Sequence, residues 1–404
     1  MMVALLGYGK TTKAIAQKFK DNTFVFFDDK VTDSYIDSSG FRVQASSSYL
    51  SSEFDLSIPS PGVPPHNKLI TSSSNLVSEY DFILNEQRTV WITGTNGKTT
   101  TTQMLQLLLI DQGAVSGGNI GTPLADLDSK APLWILETSS FTMHYTTQSA
   151  PDILVILPIT PDHIDWHGDE DSYVKDKLSA IDRMQEGELA IVPKKYANFI
   201  GSSRAFIVTY ENSEDIANYF EIDISKVEFE GVFLLDALLA LAVAKVLYGV
   251  CDYDRLNRFI LESHRQEMLT DHLGRVWIND SKATNIDAAA AAIERFKDRR
   301  LHVIIGGDTK GIDLSDLFRL ISSVDALVYL IGEDRQILVE LSKHFQIRYQ
   351  ISHTIQNAVK SIDLVLDKHS VALLSPASAS FDQYRSYVER GDDFKQSVEA
   401  LSRA

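Results

Sequence analysis

Residues 91–103 read WITGTNGKTTTTQ. An apolar strand pattern, VWIT, runs into Gly94, and a helix pattern starts near Lys98. Backbone N–H groups at such a helix start face an anion. Gly94 and Gly97 allow the backbone to approach a phosphate closely. Lys98 would neutralise β- and γ-phosphates, and Thr99 would offer its hydroxyl to a magnesium ion. With Thr95, Asn96 and Thr100 they make up a stretch expected to wrap the phosphates of a nucleotide. The spacing is shorter than in the common G-x-x-x-x-G-K-[ST] loop, because Ile92, not glycine, stands five residues before Gly97. A second G-K-T occupies residues 9–11 in LLGYGKTTKA. There Gly7-Tyr8-Gly9 opens a G-x-G-x-x pattern that ends in Thr12, and the pair Asp28-Asp29 follows about 20 residues on, where ribose contacts would lie. That copy fits a different nucleotide-bearing ligand.

Other polar groups follow apolar runs. Glu137 ends LWILE, where a magnesium ligand beside a phosphate-loop strand belongs. LPITPDHIDWHG puts His163 just past a strand, with Asp162, Asp165 and His167 close by, and Lys175 and Lys177 lie on the helix pattern that follows. NDSKATN (279–285) gathers Asp280, Lys282 and Thr284. GGDTKG adds Asp308 and Lys310, and SPASASFDQYRSYVERG adds Ser378, Ser380 and Tyr387. Polar clusters at the carboxyl ends of strands mark a shared crevice in open α/β sheets.

Three sets of alternating strand and helix patterns must position these groups. They predict an α/β protein of three domains: 1–77 Rossmann-like, 78–262 with the phosphate loop on a parallel sheet, and 263–404 Rossmann-like again. ISKVEFEGVF (224–233) reads as a hairpin. The apolar run 232–250 is interrupted by Asp236 and Lys245, short of the ~20 clean apolar residues that span a bilayer, so it is expected to be a core helix. The chain has 404 residues, 38 Lys and Arg, 55 Asp and Glu, and a net charge of −17. Such acidity disfavours nucleic acid and anionic lipid as partners. One cysteine excludes an internal disulfide and fits a reducing compartment. The opening MMVALLGYGK has no signal-peptide pattern. A cytoplasmic protein without membrane insertion is expected.

TGTNGKTTT resembles the shortened phosphate loop of the Mur ligase and folylpolyglutamate synthetase superfamily. HR at 264–265, NDSKATN, GGDTKG and SPASASFDQYRSYVERG resemble the Mur ligase branch that adds D-glutamate to UDP-N-acetylmuramoyl-L-alanine, at matched order and spacing over essentially the whole chain. The resemblance implies three α/β domains, for UDP, ATP and the incoming amino acid, in a monomer. It implies that Lys98 and Thr99 hold ATP phosphates and magnesium, and that Glu137 binds the same ion. His163 and Lys177 would serve a second magnesium ion, with Lys177 carbamylated; DKLSAI selects it over Lys175. Arg265 and Asp280 would contact the nucleotide. Lys282, Thr284, Lys310, Ser380 and Tyr387 would surround D-glutamate. Asn119, in GGNIGTP, would touch the muramoyl substrate, and Lys10, Thr11, Lys30 and Ser60 would line the UDP pocket. The chain departs from the family where VFLLDALLA puts Phe233 and Asp236 at two asparagine positions, one of which meets adenine. It departs again at Asp29 and Lys30, where relatives carry threonine and arginine.

Overall fold

Short runs of Val, Ile, Leu and Phe make strands buried on both faces, which parallel sheets require. The computed structural model describes residues 1–84, 87–119, 121–201, 203–309 and 311–401. It has two compact units, Met1–Phe259 and Ile260–Ala404.

The first unit contains two sheets. One comprises β1 (Met2–Leu6), β2 (Thr23–Asp28), β3 (Tyr35–Ile36), β4 (Arg42–Ala45) and β5 (Leu56–Pro59), in the order β3-β4-β2-β1-β5. Only the β3–β4 pair is antiparallel. The other comprises β6 (Thr89–Thr93), β7 (Val115–Gly118), β8 (Trp134–Glu137), β9 (Ile153–Ile156), β10 (Leu189–Pro193) and β11 (Phe206–Tyr210). Its order is β11-β10-β9-β6-β8-β7 and every pair is parallel. The phosphate-loop strand β6 therefore lies between β8, which ends in Glu137, and β9, which leads to His163. The helix Val232–Tyr248 is the expected core helix, with Ala237 to Ala244 fully inside. It packs with Met104, Leu105 and Leu108 of the helix Lys98–Leu109. Among the described residues no helix is long and apolar enough to cross a membrane.

The second unit has β12 (Glu267–Thr270), β13 (Val276–Asn279), β14 (Arg300–Gly306), β15 (Ala326–Ile331), β16 (Arg348–His353) and β17 (Ser370–Leu374), in the order β12-β13-β17-β14-β15-β16. β12 is antiparallel to β13 and the rest are parallel.

The expected hairpin at 224–233 does not form. Asp223 accepts the N–H of Ser225 and caps a short 3-10 turn, Ile224–Lys226. Val227 and Phe229 then pack onto the apolar core without pairing as strands, and a helix begins at Val232.

Candidate active site

The loop after β6 turns through two left-handed glycines, Gly94 at φ +143° and Gly97 at φ +82°. A Cβ on Gly94 would come within 2.5 Å of the Leu157 Cβ, and one on Gly97 would strike the Asp236 carboxylate. Asp236 is buried on the core helix and accepts the Thr101 hydroxyl at 3.2 Å. The position that departs from the family asparagine thus ties the core helix to the phosphate loop. Lys98 is not in an exposed loop. It is the first residue of its helix, half-buried, and its Nζ donates to the carbonyls of Gly94 (3.0 Å) and Thr95 (2.7 Å). Thr95 is buried, its hydroxyl donating to Thr160 O and lying 2.9 Å from the Tyr173 hydroxyl. Thr100 is buried too, whereas Asn96 is exposed.

Beside this loop the Thr99 hydroxyl donates to Glu137 Oε2 at 2.8 Å, and the Asn119 amide donates to Oε1 at 2.6 Å. One carboxylate oxygen at the end of β8 thus meets the helix start and the other the residue that follows β7. Lys177 is 2% exposed on the helix Glu170–Leu178, and its Nζ donates to Gly94 O at 2.7 Å. Burial, with the Lys98 charge adding to it, holds this amine well below the ordinary lysine range. His163 sits in the left-handed region (φ 54°) at the start of a short helix, its ring centre 4.9 Å from that of Phe141. Burial lowers its pKa, and the Lys177 and Lys98 charges push the same way. Next to Lys177, Asp176 Oδ2 lies 2.9 Å from His144 Nδ1 and 2.8 Å from His167 Nδ1. The other nitrogen of His167 meets the Ser140 hydroxyl at 3.0 Å. These bonds fasten the lysine-bearing helix to the segment just after Glu137. Lys175 is exposed, and Lys177 is the lysine that faces the loop.

On the first sheet a cleft of about 440 Å³ is lined by Tyr8, Asp28, Lys30, Val31, Thr32, Asp33 and Tyr35. The Asp28 carboxylate accepts the N–H of Tyr8 and of Lys30. Lys30 lines this cleft. Ser60 packs against the Gly7-Tyr8-Gly9 turn, Thr11 is on the first turn of the helix Lys10–Lys18, and Lys10 Nζ donates to Gly121 O, two residues from Asn119. Thr12, not Thr11, closes the turn by donating to Gly7 O at 2.7 Å.

In the second unit Asp280 is buried and pushed up to about 7 by that burial. One oxygen accepts the Gln266 N–H and the other the Ser375 hydroxyl. This carboxylate also braces the loop that presents Arg265, which bonds Glu262 at 3.3 Å. Lys282 Nζ lies 4.0 Å over the Tyr387 ring. Thr284 is exposed and Ser380 buried, whereas Phe381 beside it is 68% exposed. Lys310 lies outside the described residues.

Residues 92–245 match the Mur ligase middle domain, and 264–378 match the Mur ligase, glutamate ligase domain. UDP-N-acetylmuramoylalanine--D-glutamate ligases of Campylobacter jejuni are 46% identical over 404 residues, 99% of this chain and 100% of theirs. Those of Helicobacter pylori are 41% identical over 419 aligned positions, 98% of this chain and 99% of theirs. The chain belongs to the Mur ligase family. The Mur ligase fold is seen directly in a MurF ligase of Thermotoga maritima solved with ADP, at TM-score 0.60 and 14% identity, covering 100% of this chain and 95% of that one. UDP-N-acetylmuramate-alanine ligase MurC of the same organism gives TM-score 0.55 at 16% identity, with 98% of both chains covered.

Three residues in or beside these candidates had no role readable from the sequence. Tyr8 forms a wall of the cleft, and its hydroxyl donates to Asp37 at 2.7 Å. His264 fixes the loop carrying Arg265, its Nδ1 2.9 Å from the Asn279 amide. Arg390 lies in the quoted VERG but carried no motif of its own. The available signal was a charged or aromatic residue inside a recognised segment, with nothing local to say what it touched.

Proposed function

We propose that this protein joins D-glutamate to the L-alanine carboxylate of UDP-N-acetylmuramoyl-L-alanine, using ATP, in peptidoglycan precursor synthesis. The observation that carries this reading is the convergence of Lys98, Thr99, Glu137 and Lys177 on the loop 93–99. The names of the relatives at 46% and 41% identity supply the acceptor and the donor.

The carboxylate oxygen of the muramoyl substrate attacks the γ-phosphorus of ATP, and ADP leaves. The amine nitrogen of D-glutamate attacks the carbonyl carbon of the acyl phosphate, loses a proton, and phosphate departs. The first step brings an anion against a triphosphate, so cations positioned in advance lower its barrier. Lys98 is held at the loop by two carbonyls, and the Gly94–Gly97 turn presents its amides at a helix start. Holding the reactants in line supplies much of the remaining rate.

Thr99 and Glu137 would hold one magnesium ion, and His163 with Lys177 a second; bound there, magnesium would neutralise charge on the phosphoryl oxygens. The donor set fits. Magnesium takes one or two carboxylates and leaves other positions to water and phosphate, and Thr99 and Glu137 already point hard oxygens at one spot, 2.8 Å apart. Among the described residues no three acidic, histidine or cysteine groups gather as a metal nest, so the remaining positions would fall to water and phosphate. Lys177 fits as a carbamate. Its amine, held toward the neutral form by burial, can add carbon dioxide and release a proton, turning a cation into an oxygen ligand.

In this reading residues 1–77 bind the UDP moiety through Lys10, Thr11, Lys30 and Ser60, with Asn119 nearby. Residues 78–262 bind ATP. Residues 263–404 bring Arg265 and Asp280 to the nucleotide and Lys282, Thr284, Lys310, Ser380 and Tyr387 to D-glutamate. The enzyme works as a cytoplasmic monomer. Heavy-oxygen labelling of the substrate carboxylate tests the chemistry: one labelled oxygen should appear in the released phosphate. Unlabelled phosphate would rule out the acyl phosphate route.

A further inference from the structure

Arg390 is 1% exposed, on the first turn of the helix Tyr387–Ala400. Its Nε donates to the Ser281 hydroxyl at 3.0 Å and its Nη2 to Ser281 O at 2.9 Å. Its Nη1 donates to Ser378 O at 3.0 Å and to Ala379 O at 3.3 Å. Every one of these acceptors is neutral. Among the described residues no carboxylate stands at ion-pair distance from the guanidinium, and Asp382 acts on it only through space. Burial pulls its pKa down to about 10, which leaves it charged at neutral pH.

A buried charge without a counter-charge is costly even when its hydrogen bonds are made. Here the bonds run to two loops at once. Ser281 precedes Lys282 and Thr284 after β13, and Ser378 and Ala379 precede Ser380 after β17. The Ser281 hydroxyl in turn donates to Tyr387 O at 2.8 Å, and the Tyr387 ring carries Lys282 Nζ over its face. One planar fork thus sets the spacing of the groups that Proposed function assigns to the acceptor. A fork matched to several oxygens in a plane is a task for arginine rather than lysine.

We propose that Arg390 is a positioning residue for the acceptor amino acid, and that its uncompensated charge makes this pocket select a dicarboxylate. The inference rests on the reading of these loops as the D-glutamate site. A dianionic acceptor brings the negative charge that the loops lack, so the cost of the buried cation is offset only when the right acceptor binds.

Steady-state kinetics of the full chain with Arg390→Met and Arg390→Lys test it, with thermal unfolding recorded for each. Arg390→Met should raise KM for D-glutamate about tenfold or more while KM for ATP stays within about twofold. Arg390→Lys, which keeps charge but not the fork, should show a lower kcat with KM for D-glutamate nearer to wild type. Equal changes in KM for D-glutamate and ATP, or identical behaviour of the two variants, would overturn it as a mere staple of the fold. If neither variant folds, Ser281→Ala decides: it keeps the charge and removes one arm of the fork, so kcat must fall with KM for D-glutamate and KM for ATP near wild type, and an unchanged kcat would overturn the proposal. A wild-type enzyme that does not consume D-glutamate would sink the functional reading, and this inference with it.

Discussion

Lys177 is the residue whose chemistry the fold changes most. On the surface its amine would be protonated and inert; buried against Gly94 O, with Lys98 nearby, it is held toward the neutral form. Lys177→Ala should therefore lose most activity, and added short carboxylates should restore part of it by supplying the missing oxygen ligand. Absence of rescue at any carboxylate concentration would count against the carbamate. Lys98→Ala should cut kcat by about 10²–10³-fold or more and leave thermal unfolding close to wild type, since the side chain is half-buried and bonds loop carbonyls. Residual activity near wild type would remove Lys98 from the site. Lys98, Thr99 and Glu137 could be read from the chain because a local strand-turn-helix pattern defines what they do. Asp236 and Arg390 could not, because their partners are remote: Asp236 meets Thr101 across 135 residues and Arg390 meets Ser281 across 109. Lys177 could be told from Lys175 only by resemblance, since both lie on one short helix and only packing shows which turns inward.

Among the elements, the phosphate loop depends on two backbone conformations that side chains resist. Gly97→Ala should destabilise the fold by about 1–3 kcal/mol and weaken ATP binding, because its Cβ would push on Asp236 and so on the core helix. Calorimetric titration with ATP together with a melting curve checks both effects; unchanged affinity would mean the turn can relax. The short helix Glu79–Ile83 provides a pH-dependent element. Glu79 is fully buried and pushed up to about 8 from 4.5 by that burial. A folded-state pKa above the unfolded one means the folded protein holds an extra proton between these values, so stability falls as pH rises through that window. Wild type should therefore lose Tm relative to Glu79→Gln between about pH 5 and pH 8. A Tm difference that stays constant over this range would show that the carboxyl does not titrate as described. The buried apolar strands and the core helix were legible from composition alone. The edge strands β3, β12 and β16 were not: they carry polar or exposed residues, and they exist because a neighbouring strand offers hydrogen bonds. The mistaken hairpin at 224–233 has the converse cause, an alternating pattern with no strand beside it.

The whole molecule carries two nucleotide-type turns, each after the first strand of its own sheet, and a second unit whose loops carry lysine, serine and threonine. Sustained turnover needs both organic substrates, because the acyl phosphate cannot form without the muramoyl substrate and is not discharged to the amide without D-glutamate. The most direct test is phosphate release from ATP with each substrate omitted in turn and with D-glutamate exchanged for other amino acids. The account predicts sustained release only with UDP-N-acetylmuramoyl-L-alanine and D-glutamate together. Equal release with L-alanine, L-lysine or diaminopimelate in place of D-glutamate, or release that needs neither substrate, would contradict it.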